Sequence, residues 1–204
     1  MVHKMKRQRG RPKTYDAESA LQAATDVFWT KGFSATSLDD LSAAMGMNRP
    51  SIYRAFGDKE AIYRQALAQF SNQMEEGFNQ SIRKEPDFQK GLRKFYRAAI
   101  EVYFAGGAAL GCMVMCTAPA ASAIHPEVQL DLLKVIEELD GRILKRVDQA
   151  IEQREISAAC DPQTLSKLIQ AVLHSLAIRV RAGQSRASLR KFADGATGLL
   201  LGEI

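Results

Sequence analysis

Hydrophobic residues recur every three or four positions along most of the chain, which is the spacing of one face of an α-helix. Before Gly57 this pattern predicts three short helices, and after Asp58 it predicts five longer amphipathic ones. No stretch alternates convincingly between apolar and polar residues as a strand would, so the sequence predicts an all-α protein. The apolar positions of the five longer helices are Tyr63, Leu67, Phe70 and Met74; Leu92, Phe95, Tyr96, Ala99, Ile100 and Tyr103; Val128, Leu132, Ile136, Leu139, Ile143 and Val147; Leu165, Leu168, Ile169, Val172, Leu173 and Leu176; and Leu189, Phe192, Ala193, Ala196, Leu199 and Leu200.

The segment SLDDLSAAMGMNRPSIYRAF, residues 37–56, predicts two short helices joined by a tight turn. Ser37 can cap the first helix, and Asp40, three residues later, can complete a capping box. Gly46 suits the left-handed end of that helix, and Asn48 can cap the second. This is the spacing of a helix-turn-helix motif, whose second helix enters a DNA groove. Two unrelated short helices of an all-helical protein are the alternative interpretation.

The flanking sequence favours the DNA-binding interpretation. A helix capped by Asp16 precedes the segment, and a helix capped by Asp58 follows it. Residues 20–67 resemble the DNA-binding domain of the TetR family of bacterial transcriptional regulators in four places: the approach F-x-x-K-G-F-x-A-T-S, the short apolar first helix of the motif, the second helix I-Y-x-x-F, and the following K-E-A-I-Y. The resemblance implies an N-terminal three-helix DNA-binding domain, residues 14–58, and a C-terminal helical bundle for ligand binding and dimerisation, residues 59–204.

The second helix of the motif leaves Arg49, Ser51, Tyr53 and Arg54 exposed, and the Arg49 guanidinium is suited to pairing with guanine. Plain surface positions are the alternative for Tyr53 and Arg54. By position, the resemblance implies phosphate contacts at the start of the first motif helix, at Tyr53 and at the start of the next helix, and base contacts at the start of the second. The predicted DNA-contacting residues of the folded domain are Thr36, Ser37, Asn48, Arg49, Pro50, Ser51, Tyr53, Arg54 and Lys59. The family usually carries serine or threonine where this chain has Asn48, Arg49 and Pro50, so the operator sequence does not follow.

Residues 1–13 form a basic arm that we predict to be disordered. It contains six lysines and arginines, which exceed the whole chain's surplus of +5 from 28 basic and 23 acidic residues, so the rest of the chain is close to neutral. Arg9 and Arg11 stand in an R-G-R-P sequence that resembles minor-groove-binding AT-hook peptides. We therefore predict that both arginines contact DNA. A solubilising tail or a cloning remnant is the alternative.

The last two predicted helices have apolar faces that are broad for the end of a small protein, which favours burial against a second copy. The resemblance implies a homodimer formed by these two helices of each copy. A twofold dimer would place two reading helices about 34 Å apart, so the predicted partner is a roughly palindromic double-stranded DNA operator. The resemblance also implies a pocket for an unknown small-molecule effector, enclosed by helices between residues 86 and 180.

Seven residues are candidates for the effector pocket by position and chemistry, and core packing is the alternative for each. Within them the sequence GCMVMC allows three interpretations: plain packing, a thiol that senses oxidants or electrophiles, and metal binding by Cys112, Cys116 and His125. The spacing lacks the C-x-x-C pairs of a structural zinc site, so we predict no metal and no cofactor. The candidates are Tyr96, Tyr103, Phe104, Cys112, Met113, Cys116 and His174.

Other function classes are disfavoured by what the sequence lacks. It contains no G-x-S-x-G elbow, no phosphate loop and no H-E-x-x-H metal helix, so we predict no enzymatic activity. The basic start is not followed by an apolar run, and the uncharged segment 104–124 is interrupted by Pro119, so we predict a cytoplasmic protein without a membrane span. The preferred interpretation is a ligand-responsive repressor. A thiol sensor that uses Cys112 and Cys116, or an architectural DNA-binding protein, is the alternative.

Overall fold

Nine α-helices and no strand make up the described part of the computed structural model, residues 16–157 and 159–202. The all-α prediction is therefore confirmed. The basic arm, with Arg9 and Arg11, lies outside the described residues. The helices are α1 (Ala17–Ala35), α2 (Leu38–Met45), α3 (Arg49–Phe56), α4 (Lys59–Phe78), α5 (Phe88–Tyr103), α6 (Met113–Ser122), α7 (Pro126–Glu152), α8 (Pro162–Arg181) and α9 (Arg186–Leu201).

Local capping defines the helix-turn-helix motif as the sequence predicts. The Ser37 hydroxyl accepts from the Asp40 backbone N–H, and the Asp40 carboxylate accepts from the Ser37 N–H, which completes the capping box. Gly46 ends α2 at φ 63°, and the Asn48 side chain accepts from the Ser51 N–H at the start of α3. Because each of these bonds satisfies a free helix-end group within a few residues, the two helices begin and end where the sequence predicts.

Gly32 interrupts α1 near its end. Its φ of 76° and ψ of 172° are outside the helical region. One more helical turn follows Gly32, so α1 ends at Ala35. The break turns the last residues of α1 towards the rest of the molecule, and Phe33 is buried against Tyr63 with ring centroids 5.0 Å apart.

The C-terminal helices α5 to α9 pack mainly through α7 on α8, α5 on α9 and α6 on α7. The helix α6 is not among the predicted helices, because the uncharged segment around it has apolar residues on all sides and no periodicity to read. That segment forms the end of α5, a 3₁₀ turn at Ala105–Gly107, an extended stretch and then α6. Within the described ranges, no helix combines the length and the apolar character that crossing a membrane requires.

Two groups of contacts join α1 to the C-terminal helices, and we call them together the junction. In the first, the Trp29 indole N–H donates to the carbonyl of Gly111 over 2.9 Å, just before α6. At the end of α8, Arg181 donates to the carbonyls of Trp29 and Leu110, at 3.0 and 3.1 Å, and to that of Thr30 at 3.3 Å. The main chain of α1 is therefore bonded to α8, and the Trp29 side chain is bonded to the segment just before α6.

The second group of junction contacts connects α1 and α4 to α6 and α7. The hydroxyls of Tyr63 and Thr117 are 2.6 Å apart and buried. His125, at the start of α7, packs edge-on against Phe33 with ring centroids 4.6 Å apart, and its Nδ1 is 2.8 Å from Glu60 Oε2. A displacement of α6 or α7 would therefore shift α1 and α4, the two helices that flank the helix-turn-helix motif.

Candidate DNA interface and effector cavity

The recognition helix α3 is anchored by two buried residues and leaves the others outside. Ile52 and Phe56 are buried one helical turn apart. Tyr53 is 49% exposed, which is high for an aromatic side chain in this chain. The remaining predicted contact residues Asn48, Arg49, Pro50 and Arg54 are exposed, and Ser51 is half-buried. This leaves nearly the whole polar surface of α3 open to a nucleic-acid partner.

Arg49 is held by an acidic residue of the preceding helix. Its Nη2 lies 2.6 Å from Asp39 Oδ1, and its Nε donates to the same oxygen over 3.1 Å. This hydrogen bond raises the pKa of Arg49 above its usual value. Because both side chains are largely exposed to water, such a pair contributes little to stability. The guanidinium is therefore aligned but easily released, and the sequence gives no signal that identifies Asp39.

The residues predicted to contact phosphates differ in their exposure to solvent. Ser37 is exposed at the start of α2, whereas Thr36 is 1% exposed and its hydroxyl donates to the Gly32 carbonyl. Lys59 begins α4, and its ammonium lies 4.4 Å from the centroid of the Phe33 ring. Partial burial lowers the pKa of Lys59. Ser37 and Lys59 thus stand at helix N-termini, where backbone N–H groups favour anions.

The capping carboxylate of α2 makes the motif sensitive to acid. The Lys31 ammonium, 2.6 Å away, and then the Ser37 N–H and hydroxyl lower the pKa of Asp40 to about 2. A carboxyl whose pKa is lowered on folding stabilises the fold above its ordinary pKa, and this stability is lost as the pH falls through the folded value. We expect Asp40→Asn to flatten the fall in stability between about pH 4 and 2, measured by urea unfolding. Asn keeps the cap acceptor, so an unchanged pH profile would mean that the charge plays no part.

A cavity of about 60 Å³ lies between α4, α5, α6, α7 and α8, and its wall is mainly apolar. Three of the predicted ligand residues line it: Tyr103, Cys112 and His174. Its other lining residues come from four helices and the start of α6 and were not selected from the sequence. They are Phe70, Ser71, Met74, Glu75, Phe95, Val114, Met115, Val135, Ile136, Glu138, Leu139, Arg142, Gln170 and Leu173.

The other four predicted ligand residues do not line the cavity. The Tyr96 hydroxyl donates to the Ile169 carbonyl inside the core, and Met113 is fully buried. The Phe104 ring lies beneath the Arg186 guanidinium, 4.5 Å from its centroid, and Cys116 Sγ is 3.8 Å from the Ala177 carbonyl. These placements are explained by packing and by bonds to the main chain.

Apart from the ion pairs of Arg142 with Glu75 and Glu138 at its edge, the cavity wall has few polar groups, and burial disfavours their charged forms. Burial lowers the pKa of His174, which therefore carries no charge at pH 7. Burial raises the pKa of Cys112 to about 12 and raises that of Cys116, so both thiols are protonated at neutral pH. The Ser71 hydroxyl oxygen is buried and finds no hydrogen-bond partner among the described residues. The cavity thus offers one unsatisfied hydroxyl in a mainly apolar wall, with the Arg142–Glu75 ion pair at its edge.

Metal binding finds no support in the part of the chain that the structure covers. No three histidine, cysteine, aspartate or glutamate side chains of residues 16–157 and 159–202 are grouped so that they could hold an ion. Cys112, Cys116 and His125, the set named in the metal interpretation, form no such group. The three cysteines are free thiols.

Comparisons with known proteins agree with this architecture. Residues 20–66 match the family model described as bacterial regulatory proteins of the tetR family, and residues 89–196, more than half of the chain, match the tetracyclin repressor-like C-terminal domain. The chain is 27% identical over 191 residues to the HTH-type transcriptional repressor ComR of Escherichia coli K12, covering 93% of this chain and 90% of that protein. It is 30% identical over 115 residues to the repressor BdcR of the same organism, covering 56% of this chain and 58% of that protein.

Among solved structures, a cysteine mutant of the TetR family regulator CifR in complex with a 26-base-pair operator DNA superposes with a TM-score of 0.82. The two chains are 28% identical, and the match covers 92% of this chain and 98% of CifR. A regulator from Cytophaga hutchinsonii, 19% identical, shares the fold with a TM-score of 0.77 over 92% of this chain and 93% of that one. The helix-turn-helix geometry and the two family matches together show that this chain belongs to the TetR family of bacterial regulatory proteins and is a transcriptional regulator, not an enzyme.

Proposed function

We propose that this protein is a cytoplasmic repressor that binds a double-stranded operator through α2 and α3 and leaves it when a small molecule occupies the cavity. The exposed polar surface of α3 supports the DNA-binding role. The relatives ComR and BdcR are repressors by name, and CifR has been captured on its operator. An effector must favour the released state by about 5.5 kcal/mol to move nearly all molecules off the DNA.

The proposed repressor acts as a homodimer. Three leucine and isoleucine side chains on α8 and α9 are exposed in the single chain: Leu168 by 48%, Ile178 by 57% and Leu199 by 71%. A second copy that packs its own α8 and α9 against them would bury this apolar surface. Twofold symmetry would then direct the two α3 helices to successive major grooves of a palindromic operator.

One observation carries the coupling between effector and DNA: two residues of the cavity wall lead directly to Trp29 in α1. The Phe70 ring packs edge-on against Trp29 with centroids 4.9 Å apart. Cys112 follows Gly111, whose carbonyl accepts from the Trp29 indole. A molecule that pushes Phe70 or Cys112 outward would therefore shift α1 relative to α6, and with it the spacing of the reading helices.

The protonated thiols favour an effector that binds without a covalent bond. Cys112 is part of the cavity wall, but burial works against the thiolate that reacts with oxidants and electrophiles. The buried thiols therefore have a smaller thiolate fraction than a solvent-exposed cysteine, which disfavours the thiol-sensor alternative. No contact in the described residues favours the architectural alternative over a regulated one.

Release from DNA by small apolar molecules tests this proposal. Operator binding would be followed by fluorescence anisotropy, using duplex DNA from the region upstream of the protein's own gene, while compounds of up to six heavy atoms are added. We expect Met115→Trp, which fills the cavity, to keep operator binding but to lose release by any active compound. Leu130→Trp adds a similar bulk at an exposed position of α7 and should respond as wild type. Equal release of both variants would contradict the cavity as the effector site.

A further inference from the structure

A second concavity, of about 310 Å³, lies between the end of α4, the π-helical turn Asn79–Arg83 and α7. We call it the basic cleft, because four of its lining residues carry positive charge and one carries negative charge. Clustered charge of one sign in a concave surface attracts ions of the opposite sign. The lining residues are Glu75, Phe78, Asn79, Arg83, Arg142, Lys145, Arg146 and Gln149.

Arg146 of the basic cleft is only 5% exposed and is incompletely bonded. Its Nη2 donates to the Pro86 carbonyl over 3.0 Å and to Glu155 Oε1 over 3.2 Å, and its guanidinium stacks on Phe88 at 4.9 Å. Its Nη1 is buried and has no hydrogen-bond partner within the described residues. A buried charged donor without an acceptor is costly, so Arg146 adds an incompletely compensated positive charge to the wall of the cleft.

The basic cleft adjoins the apolar cavity, because Glu75 and Arg142 line both. Between them, Arg142 Nη2 donates to Glu75 Oε2 over 2.8 Å, and it lies 3.8 Å from Glu138 Oε2. Because this ion pair stands between the two spaces, a molecule that separates Arg142 from Glu75 would place a charged group in the cleft and an apolar tail in the cavity. The cavity's 60 Å³ is less than half of the 150 Å³ that accepts benzene in an engineered protein, so the tail holds about two or three carbons unless the wall moves.

We propose that the basic cleft binds the carboxylate of a short-chain carboxylic acid whose alkyl tail enters the cavity. This rests on the proposed function, since it names the chemical class of the cavity's effector. A planar carboxylate fits the guanidinium fork of Arg142 and competes there with the Glu75 carboxylate. Glu75 belongs to α4, which begins beside the recognition helix at Lys59. When the ligand carboxylate replaces that of Glu75 on Arg142, the ion pair between α4 and α7 is lost. These two helices connect the basic cleft to the DNA-binding motif.

Butanoate is the probe that matches this geometry, since it combines one carboxylate with a three-carbon tail. Its binding to the full chain would be measured by calorimetry and thermal unfolding at constant ionic strength, beside acetate, 1-butanol and inorganic phosphate. We expect butanoate to bind most tightly and to raise the unfolding temperature most. Acetate lacks the tail, 1-butanol lacks the charge, and phosphate fills the cleft alone.

The matched variants remove charge only from exposed side chains. The double variant Arg83→Gln with Lys145→Gln is expected to weaken butanoate binding by about tenfold and to leave 1-butanol binding unchanged. The control variant Lys90→Gln removes one positive charge from an exposed site outside the cleft and the cavity, and it should bind butanoate as wild type does. Circular dichroism checks that each variant is folded.

Several results would overturn this assignment. These are no binding of butanoate, equal binding of butanoate and 1-butanol, or an unchanged butanoate affinity in the double variant. Phosphate binding more tightly than butanoate would overturn the carboxylate class. A failure of the proposed function gives a different result: butanoate binds as expected, and the double variant loses it, but the operator complex is not released.

Discussion

Replacing Arg49 with alanine is expected to weaken operator binding by about 1–3 kcal/mol for each reading helix while binding to unrelated duplex changes little. Arg49 is exposed at the start of α3, and its guanidinium is already aligned by Asp39. A side chain that reads a base edge contributes to the specific complex, whereas a phosphate contact contributes to every complex. Fluorescence anisotropy with operator and unrelated DNA, at two salt concentrations, separates the two roles.

The Asp39→Asn variant is the matched test of how Arg49 is presented. It keeps the size of the side chain, removes the charge that holds the guanidinium, and removes a negative group near the phosphates. We expect higher affinity for unrelated DNA and a smaller difference between operator and unrelated duplex. If the Arg49→Ala variant instead lost equal affinity for the operator and for unrelated DNA, Arg49 would be a phosphate contact and would have no part in base readout.

Replacing Gly111 with alanine is expected to destabilise the protein by about 2–4 kcal/mol, the second large effect. Gly111 adopts φ 70°, in the left-handed region that disfavours side chains, and a Cβ there would lie 2.4 Å from the Ala177 carbonyl oxygen and 2.8 Å from Cys116 Sγ. The Ala177 oxygen belongs to the backbone of α8, so it cannot move away without displacing the helix. Urea unfolding followed by circular dichroism measures the loss.

Gly77→Ala is the control for this substitution. Gly77 lies inside α4, and a Cβ at that position would meet no atom within 4 Å. Because glycine costs helix stability through its backbone freedom, alanine should stabilise the protein by about 0.5–1 kcal/mol. A wild-type unfolding midpoint for Gly111→Ala would show that α6 and α8 do not approach each other this closely.

The sequence predicts best the features that depend on neighbouring residues. The caps at Asp16, Ser37, Asn48 and Asp58 all form, because each side chain bonds an N–H only two or three residues away. The burial of Ile52 and Phe56 follows from helical spacing for the same reason. Such interactions need no knowledge of the tertiary fold.

Contacts between distant segments could not be predicted in this way. The bond from Trp29 to Gly111 spans 82 residues, and the pair of Arg49 with Asp39 joins two helices whose angle the sequence does not give. The cavity shows the same limit. His174 was selected for its chemistry, but Ser71 and Arg142 are polar residues at the borders of the apolar helix faces, where spacing alone does not show which of them face a cavity.

The junction has a consequence for how such regulators diversify. Arg181 binds only main-chain carbonyls of α1 and the segment before α6, and the Trp29 indole also binds a carbonyl, that of Gly111. A carbonyl is present at every position, whatever the side chain, so substitutions elsewhere in α1 leave the Arg181 bonds in place. The bonds of Trp29 and Arg181 therefore place few demands on the sequence of α1, whereas the contacts of Tyr63 with Thr117 and of Phe33 with His125 require particular side chains on both sides. A DNA-binding domain transplanted onto a new effector domain would need matching partners for these side chains.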